Sequence, residues 1–281
     1  MSRISPPPPR IRATTIDAFR TLGASGRART ALAARAFIGL LLLTTLPFAS
    51  ASEGEPAPAA EQILERADRI RFPEYGFQVD VGITTSKTNG DKESREYRIL
   101  SNGNSRTLVQ TTAPAIDRGQ ILLMRDRDLW AFMPNVSQPI RLPLSQKLTG
   151  QVANGDLARA NFVGDYHPTI LRAEEIEGEK LIVLELKAVD RSVTYHRALY
   201  WVNSSDNRPY KAEFYALSNR LMKVCYYRDF QDLGDEVRPT RLVMEDALRA
   251  GERSELVYSN MLRKELPDKV FNKDYLKKLS R

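Results

Sequence analysis

The chain has few of the residues that build disulfides, metal sites or catalytic centres. Cys225 is its single cysteine, so no disulfide can form within it, and apolar and aromatic neighbours predict a buried, unreactive thiol. The two histidines, His167 and His196, lie at no spacing that metal or acid–base chemistry uses. The sequence has no nucleophile elbow, zinc-protease motif or phosphate-binding glycine loop. We therefore expect no enzyme, no metal and no cofactor, with carboxylate pairs distant in sequence as the remaining catalytic alternative.

No apolar run is long enough to cross a bilayer. The longest lies in residues 37–51 (FIGLLLLTTLPFASA), and its core of about ten residues falls short of the roughly 20 that a membrane span needs. It follows a cluster of arginines and ends in Ala-Ser-Ala, which predicts a secretory signal peptide over residues 1–51, cut after Ala51. An organellar presequence and an uncleaved anchor are the alternatives. The residue directly after the cut is Ser52 and not a cysteine, so we expect an unlipidated periplasmic protein.

Most of the net positive charge precedes the predicted cleavage site. The full chain has 42 basic and 35 acidic residues, a net charge of +7 and an isoelectric point near 9.5. Seven of the basic residues, all arginines, and one acid, Asp17, lie within residues 1–51, which leaves 35 basic and 34 acidic residues. Because the remaining chain is nearly neutral, its charge gives no reason to expect nucleic acid as a partner.

The chain after the cut changes from a polar leader to a helix and then to strands. Residues 52–60 (SEGEPAPAA) have little to bury and predict a flexible leader, followed by one domain over residues 61–281. Apolar residues at helical spacing predict a helix over 63–70, which Pro73 ends. Period-2 alternation and turn signals then predict strands at 77–83, 97–100, 107–112, 120–125, 128–133, 139–142, 169–176, 181–189, 197–202, 211–217, 221–229, 238–246 and 255–262.

This order predicts a mainly β (α+β) domain, an unclosed antiparallel half-barrel of about ten strands with helices plugging its concave face. The Asn-Gly pairs at 89–90 and 102–103 favour tight hairpins between neighbouring strands. The available covers for the apolar face are the first helix, the stretch 150–163 and a C-terminal helix over 268–279. The middle stretch predicts a short helix that carries Leu157 and Phe162 and ends at Gly164. It is interpreted as a plug or lid, with a surface crossover loop as the alternative.

A sheet this wide has more apolar surface than short helices cover, which predicts a cleft. Flexible methionines and flat aromatic rings adapt to an acyl chain, and each buried methylene contributes about 0.8 kcal/mol. The alternative is that these side chains simply pack the core. The residues expected to line the cleft are Phe77, Val79, Val81, Trp130, Phe132, Phe214 and Met222, together with Leu157 and Phe162 of the plug helix.

Three segments carry a family resemblance. Residues 97–110 (YRILSNGNSRTLVQ), 121–166 (ILLMRDRDLWAFMPNVSQPIRLPLSQKLTGQVANGDLARANFVGDY) and 266–279 (LPDKVFNKDYLKKL) resemble the outer-membrane lipoprotein-sorting proteins of the LolA-like superfamily. The Asp-Leu-Trp…Met-Pro-Asn and Asn-Gly-Asp…Asn-Phe-x-Gly-Asp-Tyr runs are the specific part of the resemblance. It implies an unclosed β-barrel with helices in its mouth that carries lipid or lipoprotein acyl chains across the periplasm.

The sequence and the resemblance together predict a non-catalytic, monomeric carrier of lipid or lipoprotein acyl chains. Its expected partner is an inner-membrane transporter of the ABC or resistance-nodulation-division type. The main alternative is an envelope sensor that uses the same sheet to bind a protein, and an ester or peptide hydrolase that depends on His167 or His196 ranks third.

Overall fold

The computed structural model describes residues 59–279 except 104, 135, 234 and 235. The predicted signal peptide (1–51) and nearly all of the predicted leader (52–60) lie outside these residues. None of the described helices is long and apolar enough to cross a membrane.

The described chain begins with one helix and continues almost entirely as strands. Helix α1 (Ala60–Arg71) buries the apolar stripe that contains Ile63, Leu64 and Ala67, and the extended Phe72 ends it just before Pro73. The remaining helices are α2 (Asn154–Ala158) and α3 (Lys273–Leu279). The strands are β1 (Phe77–Ser86), β2 (Lys92–Ser101), β3 (Arg106–Ala113), β4 (Ile121–Arg125), β5 (Asp128–Phe132), β6 (Ile140–Leu142), β7 (Lys147–Thr149), β8 (Val152–Ala153), β9 (Tyr166–Ile176), β10 (Glu179–Ala188), β11 (Arg197–Asn203), β12 (Pro209–Tyr215), β13 (Leu221–Asp232), β14 (Val237–Asp246) and β15 (Arg253–Arg263).

Thirteen of these strands form one antiparallel sheet in the order β6-β5-β4-β3-β2-β1-β15-β14-β13-β12-β11-β10-β9. Its edge strands, β6 and β9, do not pair with each other, so the sheet is unclosed as predicted. The predicted count of about ten strands is too low, because the described chain has 15. Two of the additional strands, β7 and β8, form a small separate ribbon within a stretch too short to show any period.

The sheet curls around α1 and α2. Helix α1 packs on β9, β12 and β14, whereas α2 packs on β3 and β4, which lie in the other half of the strand order. We call the face that contacts both helices the concave face. It carries the main apolar cluster, in which strand β1 contributes alternate residues: Phe77, Val79, Val81 and Ile83 are all buried.

The C-terminal segment covers the opposite face, which differs from the prediction that it would help to cover the same face as α1. The segment is a 3₁₀ turn (Asp268–Phe271) followed by α3, and Phe271 and Leu276 pack with Leu123 and Phe132. Residues 121–124 (ILLM) are apolar in both phases of the strand, so β4 needs an apolar partner on each face.

Candidate functional site

A short segment fills the concave face. Helix α2 and the non-helical residues that follow it form what we call the plug segment, residues 154–165. Leu157 and Phe162 are both buried in the main cluster. The predicted helix was expected to carry both residues, but it ends at Ala158, so Phe162 reaches the cluster from the loop. The Phe162 ring makes edge contacts with Tyr166, Tyr200 and Phe214.

Asp68 of α1 holds the end of the plug segment. One of its carboxylate oxygens accepts hydrogen bonds from the backbone N–H groups of Phe162 (2.6 Å) and Val163 (2.7 Å). The other accepts one from Nη1 of Arg71 at 3.1 Å. Burial raises the pKa of Asp68 because loss of hydration outweighs the stabilising effect of Arg71 and the two amides. Keeping Asp68 ionised at this buried position therefore costs free energy, which reduces the net stabilisation that its contacts with the plug segment provide.

Arg71 makes a second contact with the plug segment. Its Nη2 donates to the carbonyl oxygen of Ala160, and the guanidinium lies over the Phe162 ring at 4.2 Å from the centroid. The side chain is only 6% exposed. Asp68 and Arg71 thus form a buried ion pair on α1 that binds the loop part of the plug segment through one backbone carbonyl and two backbone amides.

A second buried ion pair holds the start of the plug segment. Nζ of Lys223, on β13, lies 2.6 Å from Oδ2 of Asp156 and donates to the Gln151 carbonyl at 2.7 Å. The Tyr195 hydroxyl donates to the same carboxylate at 2.9 Å. Burial, followed by the neighbouring Asp156 carboxylate, raises the pKa of Tyr195, so the phenol stays protonated and able to donate. This network anchors α2 to β13.

Asp165, the last residue of the plug segment, is hydrogen-bonded to two arginines. Its carboxylate accepts hydrogen bonds from Nε of Arg127 at 2.8 Å and from Nε of Arg159 at 2.5 Å. Arg127 lies between β4 and β5, and its Nη1 also donates to Asp190, which follows β10, at 2.8 Å. Because β4 and β10 belong to different halves of the strand order, these bonds connect the two arms of the curled sheet across the plug segment.

The concave face is closed in this conformation. Two small cavities lie against the plug segment, each with a volume of about 20 Å³. The first is lined by residues that include Arg71, Tyr227 and Tyr258, and the second by residues that include Phe77 and Leu157. A cavity of this size holds about one water molecule. An acyl chain therefore fits against the sheet only if the plug segment moves.

Six of the nine residues predicted to contact a lipid belong to the main cluster. They come from β1, β12 and the plug segment, and each is buried: Phe77, Val79, Val81, Phe214, Leu157 and Phe162. The fold brings these residues together from distant parts of the sequence on the concave face.

The structure places the other three predicted residues away from this cluster. Trp130 and Phe132 pack on the opposite face, in the cluster that contains Phe271. Met222 is 39% exposed, at the start of β13. In β5 apolar residues occur at both odd and even positions, so the sequence does not show which set faces the concave side. In β13 a core-facing position is occupied by the charged residue Lys223, which hides the alternation.

Sequence reasoning missed the charged residues that hold the plug segment. Asp68 and Arg71 each follow a buried apolar residue of α1, Leu64 and Ala67 respectively, by one helical turn. This spacing places both charges on the buried face of the helix and could have identified them from the sequence. Lys223 similarly alternates with buried Cys225 and Tyr227. A charged residue at a position that faces the core predicts a buried partner of opposite charge, but the sequence does not identify that partner.

The described residues offer no group of histidine, cysteine or acidic side chains that could hold a metal ion. His167 and His196 are both exposed, on β9 and just before β11 respectively. The Cys225 thiol is buried, and burial raises its pKa to about 12, so its reactive thiolate is not formed near neutral pH.

Comparison with known proteins agrees with this architecture. A sequence-family model described as an uncharacterized protein matches residues 103–278. A LolA superfamily protein from Nitrosomonas europaea is 57% identical, with a TM-score of 0.75 over 78% of this chain and 100% of that chain. No curated protein matches the sequence.

Two more distant structures share the fold. An outer membrane lipoprotein-sorting protein domain from Vibrio parahaemolyticus is 21% identical, with a TM-score of 0.68 over 78% of this chain and 98% of its own. A DUF1329 family protein from Desulfovibrio piger is 18% identical, with a TM-score of 0.68 over 79% of this chain and 99% of its own. The unclosed sheet, the helices on its concave face and the 57% identity to the Nitrosomonas protein establish that the chain belongs to the LolA superfamily.

Proposed function

We propose that this protein is a periplasmic, non-catalytic carrier that shelters the acyl chains of a lipid or lipoprotein on its concave face and passes them between envelope components. The proposal rests on how little of the chain covers part of the apolar concave face. The apolar surface drawn from both arms of the sheet is covered partly by helix α1, and the rest of it is covered only by a five-residue helix and a loop. Membership of the LolA superfamily supports the same function.

The plug segment makes binding conditional on opening. Exposing Leu157 and Phe162 costs about 3–6 kcal/mol, since burial of each such side chain contributes about 1.5–3 kcal/mol. An acyl chain returns about 0.8 kcal/mol per buried methylene, so roughly eight methylenes offset the larger value. Long chains are therefore retained and short ones are not. The opposing cost of opening keeps the affinity moderate, as a carrier that releases its cargo requires.

The concave-face residues Phe77, Val79, Val81 and Phe214 are the proposed chain contacts, with Leu157 and Phe162 as the groups that the chain replaces. The carrier is proposed to act as a monomer that receives or delivers its cargo at an inner-membrane transporter. Within this proposal Trp130 and Phe132 have a packing role under the C-terminal segment.

The test measures uptake of a fluorescent fatty-acyl probe by two matched variants. Phe162→Ala removes the ring that occupies the concave face, whereas Phe132→Ala makes the same truncation in the cluster on the opposite face. Because closure is weakened by about 3 kcal/mol, we expect F162A to bind the probe at least roughly tenfold more tightly than the wild type. Circular dichroism confirms that both variants fold.

The proposal fails if F162A and F132A change probe binding equally, or if no variant takes up the probe. Native mass spectrometry of protein purified from its host's envelope provides an independent test, because a carrier is expected to retain a fraction of bound lipid. A protein partner that stays bound after delipidation, together with no probe uptake, favours the sensor alternative instead.

A further inference from the structure

Three buried polar groups around the plug segment lack a hydrogen-bond acceptor among the described residues. They are Nε of Arg71 and the hydroxyl groups of Tyr200 and Tyr258. Tyr200 is fully buried, Arg71 is 7% exposed and Tyr258 is 8% exposed. A buried polar atom without a partner costs about 1–3 kcal/mol, and folded proteins keep few of them. Three such atoms in one region indicate a missing hydrogen-bonding group.

These atoms belong to one neighbourhood. Arg71 and Tyr258 line the same cavity, with a volume of about 20 Å³. Tyr200 lies beside Arg71, whose guanidinium donates a hydrogen bond to the phenol oxygen and leaves the phenol hydrogen without an acceptor. The Phe162 ring contacts both the Arg71 guanidinium and the Tyr200 ring. The plug segment therefore lies against the side chains of Arg71 and Tyr200.

Each of these atoms can donate a hydrogen bond, and Nε of Arg71 can only donate. The complementary group is an acceptor, and the local charge defines its type. Arg71 is already paired with Asp68, and their side chains are 6% and 4% exposed. While Asp68 is ionised the pair has no net charge, so an anionic ligand would then add an uncompensated charge in a site shielded from water. A neutral oxygen acceptor adds none.

Opening the plug segment enlarges the donor set. The Ala160 carbonyl, which accepts from Nη2 of Arg71, lies in the segment that must move. When it leaves, Nη2 joins Nε as an available donor of the same guanidinium. The cavity of the closed form holds about one water molecule, which a ligand oxygen can replace.

We propose that Arg71, Tyr200 and Tyr258 form a polar subsite that binds the carbonyl oxygen joining an acyl chain to its head group. The ligand class is a neutral acyl ester or acyl amide, with the hydrocarbon on the apolar part of the concave face. This inference rests on the proposed function and specifies its cargo: the carbonyl fixes how deep the chain enters.

The test compares three ligands of equal chain length, a monoacylglycerol, the matching alkyl glycerol ether and the free fatty acid, as competitors of a fluorescent acyl probe. The ester and ether differ by a single carbonyl. We expect the wild type to bind the ester about three- to tenfold more tightly than the ether, the range that one or two buried hydrogen bonds provide. The fatty acid is expected to bind more weakly than the ester at neutral pH.

Two variants assign the preference to the subsite. Tyr258→Phe and Tyr200→Phe each remove a hydroxyl whose hydrogen has no acceptor, so both variants are expected to fold and to lose most of the ester preference. Tyr166→Phe is the matched control, because the Tyr166 hydroxyl already donates to the Tyr195 carbonyl at 3.2 Å. It is expected to keep the preference.

Equal binding of ester and ether by the wild type overturns the subsite while leaving the carrier function intact. A preference that survives in both Tyr→Phe variants, or that Y166F abolishes equally, also overturns it. Tighter binding of the fatty acid than of the ester overturns the neutral-acceptor assignment. Failure of all three ligands to displace the probe, or of the probe itself to bind, contradicts the proposed function and the subsite together.

Discussion

Replacing Lys223 by methionine tests how the plug segment is anchored. The substitution keeps the length of the side chain and removes its charge, so the Asp156 carboxylate loses its cation. Both side chains are almost inaccessible, with 5% and 7% exposure, and Nζ lies 2.6 Å from Oδ2. Removing one partner of such a pair costs about 3–5 kcal/mol, because the other charge stays buried and uncompensated.

The expected loss is measurable by urea unfolding followed by circular dichroism, with the free energy of unfolding extrapolated to water. For a domain of this size, 3–5 kcal/mol corresponds to a fall in melting temperature of roughly 6–20 °C. Lys187→Met is the matched control. Its ion pair with Glu185 has an exposed lysine, 65% accessible, and such pairs contribute about 0–1 kcal/mol.

A double substitution separates the charge from the packing. In K223M/D156N, the single amide oxygen at position 156 can take the place of Oδ2, which accepts from the Tyr195 hydroxyl at 2.9 Å and from the Ala153 N–H at 2.7 Å. Neither side chain is then charged, so the double variant is expected to recover at least about 1 kcal/mol relative to K223M alone. A K223M loss below about 1 kcal/mol, or a double variant less stable than K223M, would show that the Lys223–Asp156 pair does not anchor the plug segment.

Three further predictions concern single residues. Because the folded-state pKa of Asp68 is raised above 3.8, its contribution to stability is full below pH 3.8 and is lost as the pH rises through the folded value. The destabilisation by Asp68→Asn is therefore expected to be smaller at about pH 7 than at about pH 4 in urea unfolding, and a larger loss at about pH 7 contradicts the sign. Burial raises the pKa of Cys225 to about 12, so iodoacetamide at about pH 8 is expected to label only unfolded protein, and rapid labelling of the native form argues against this environment. A Cβ at Gly155 would overlap the Thr194 side chain, so Gly155→Ala is expected to lower the unfolding free energy by about 1–3 kcal/mol, whereas an unchanged value means that the site relaxes.

Regular patterns in the sequence were sufficient to predict much of the fold. In β1 the apolar residues alternate strictly, and the buried face follows directly from Phe77, Val79 and Val81. The apolar stripe and the proline after it locate α1. Each of the thirteen predicted segments overlaps one of the thirteen strands of the large sheet, although the stated count of about ten strands was too low.

The local pattern failed where both faces of a strand are buried. Residues 121–124 and 128–132 have apolar side chains in each phase, so the side that faces α2 depends on where the C-terminal segment packs. That packing is a contact between residues more than a hundred positions apart. Trp130 and Phe132 were assigned to the cleft for this reason, and the structure places them on the other face.

The polar contacts of the site depend on partners that no local pattern identifies. Asp68 binds the amides of Phe162 and Val163, and Lys223 binds Asp156, across separations of 94, 95 and 67 residues. A charge on an inward face can be detected from the sequence, but its partner is fixed only once the sheet curls. The plug segment was therefore predictable as a feature, whereas the groups that hold it closed were not.

Amide hydrogen exchange at Phe162 and Val163, with and without a long-chain monoacylglycerol, measures whether an acyl chain enters beneath the plug segment. These two N–H groups donate to Asp68 only while the plug segment is closed. We expect the ligand to bind and to accelerate exchange at both amides, while the paired amides of β1 and β2 exchange at unchanged rates. Saturating ligand with unchanged or slower exchange at Phe162 and Val163 would contradict entry of an acyl chain beneath the plug segment.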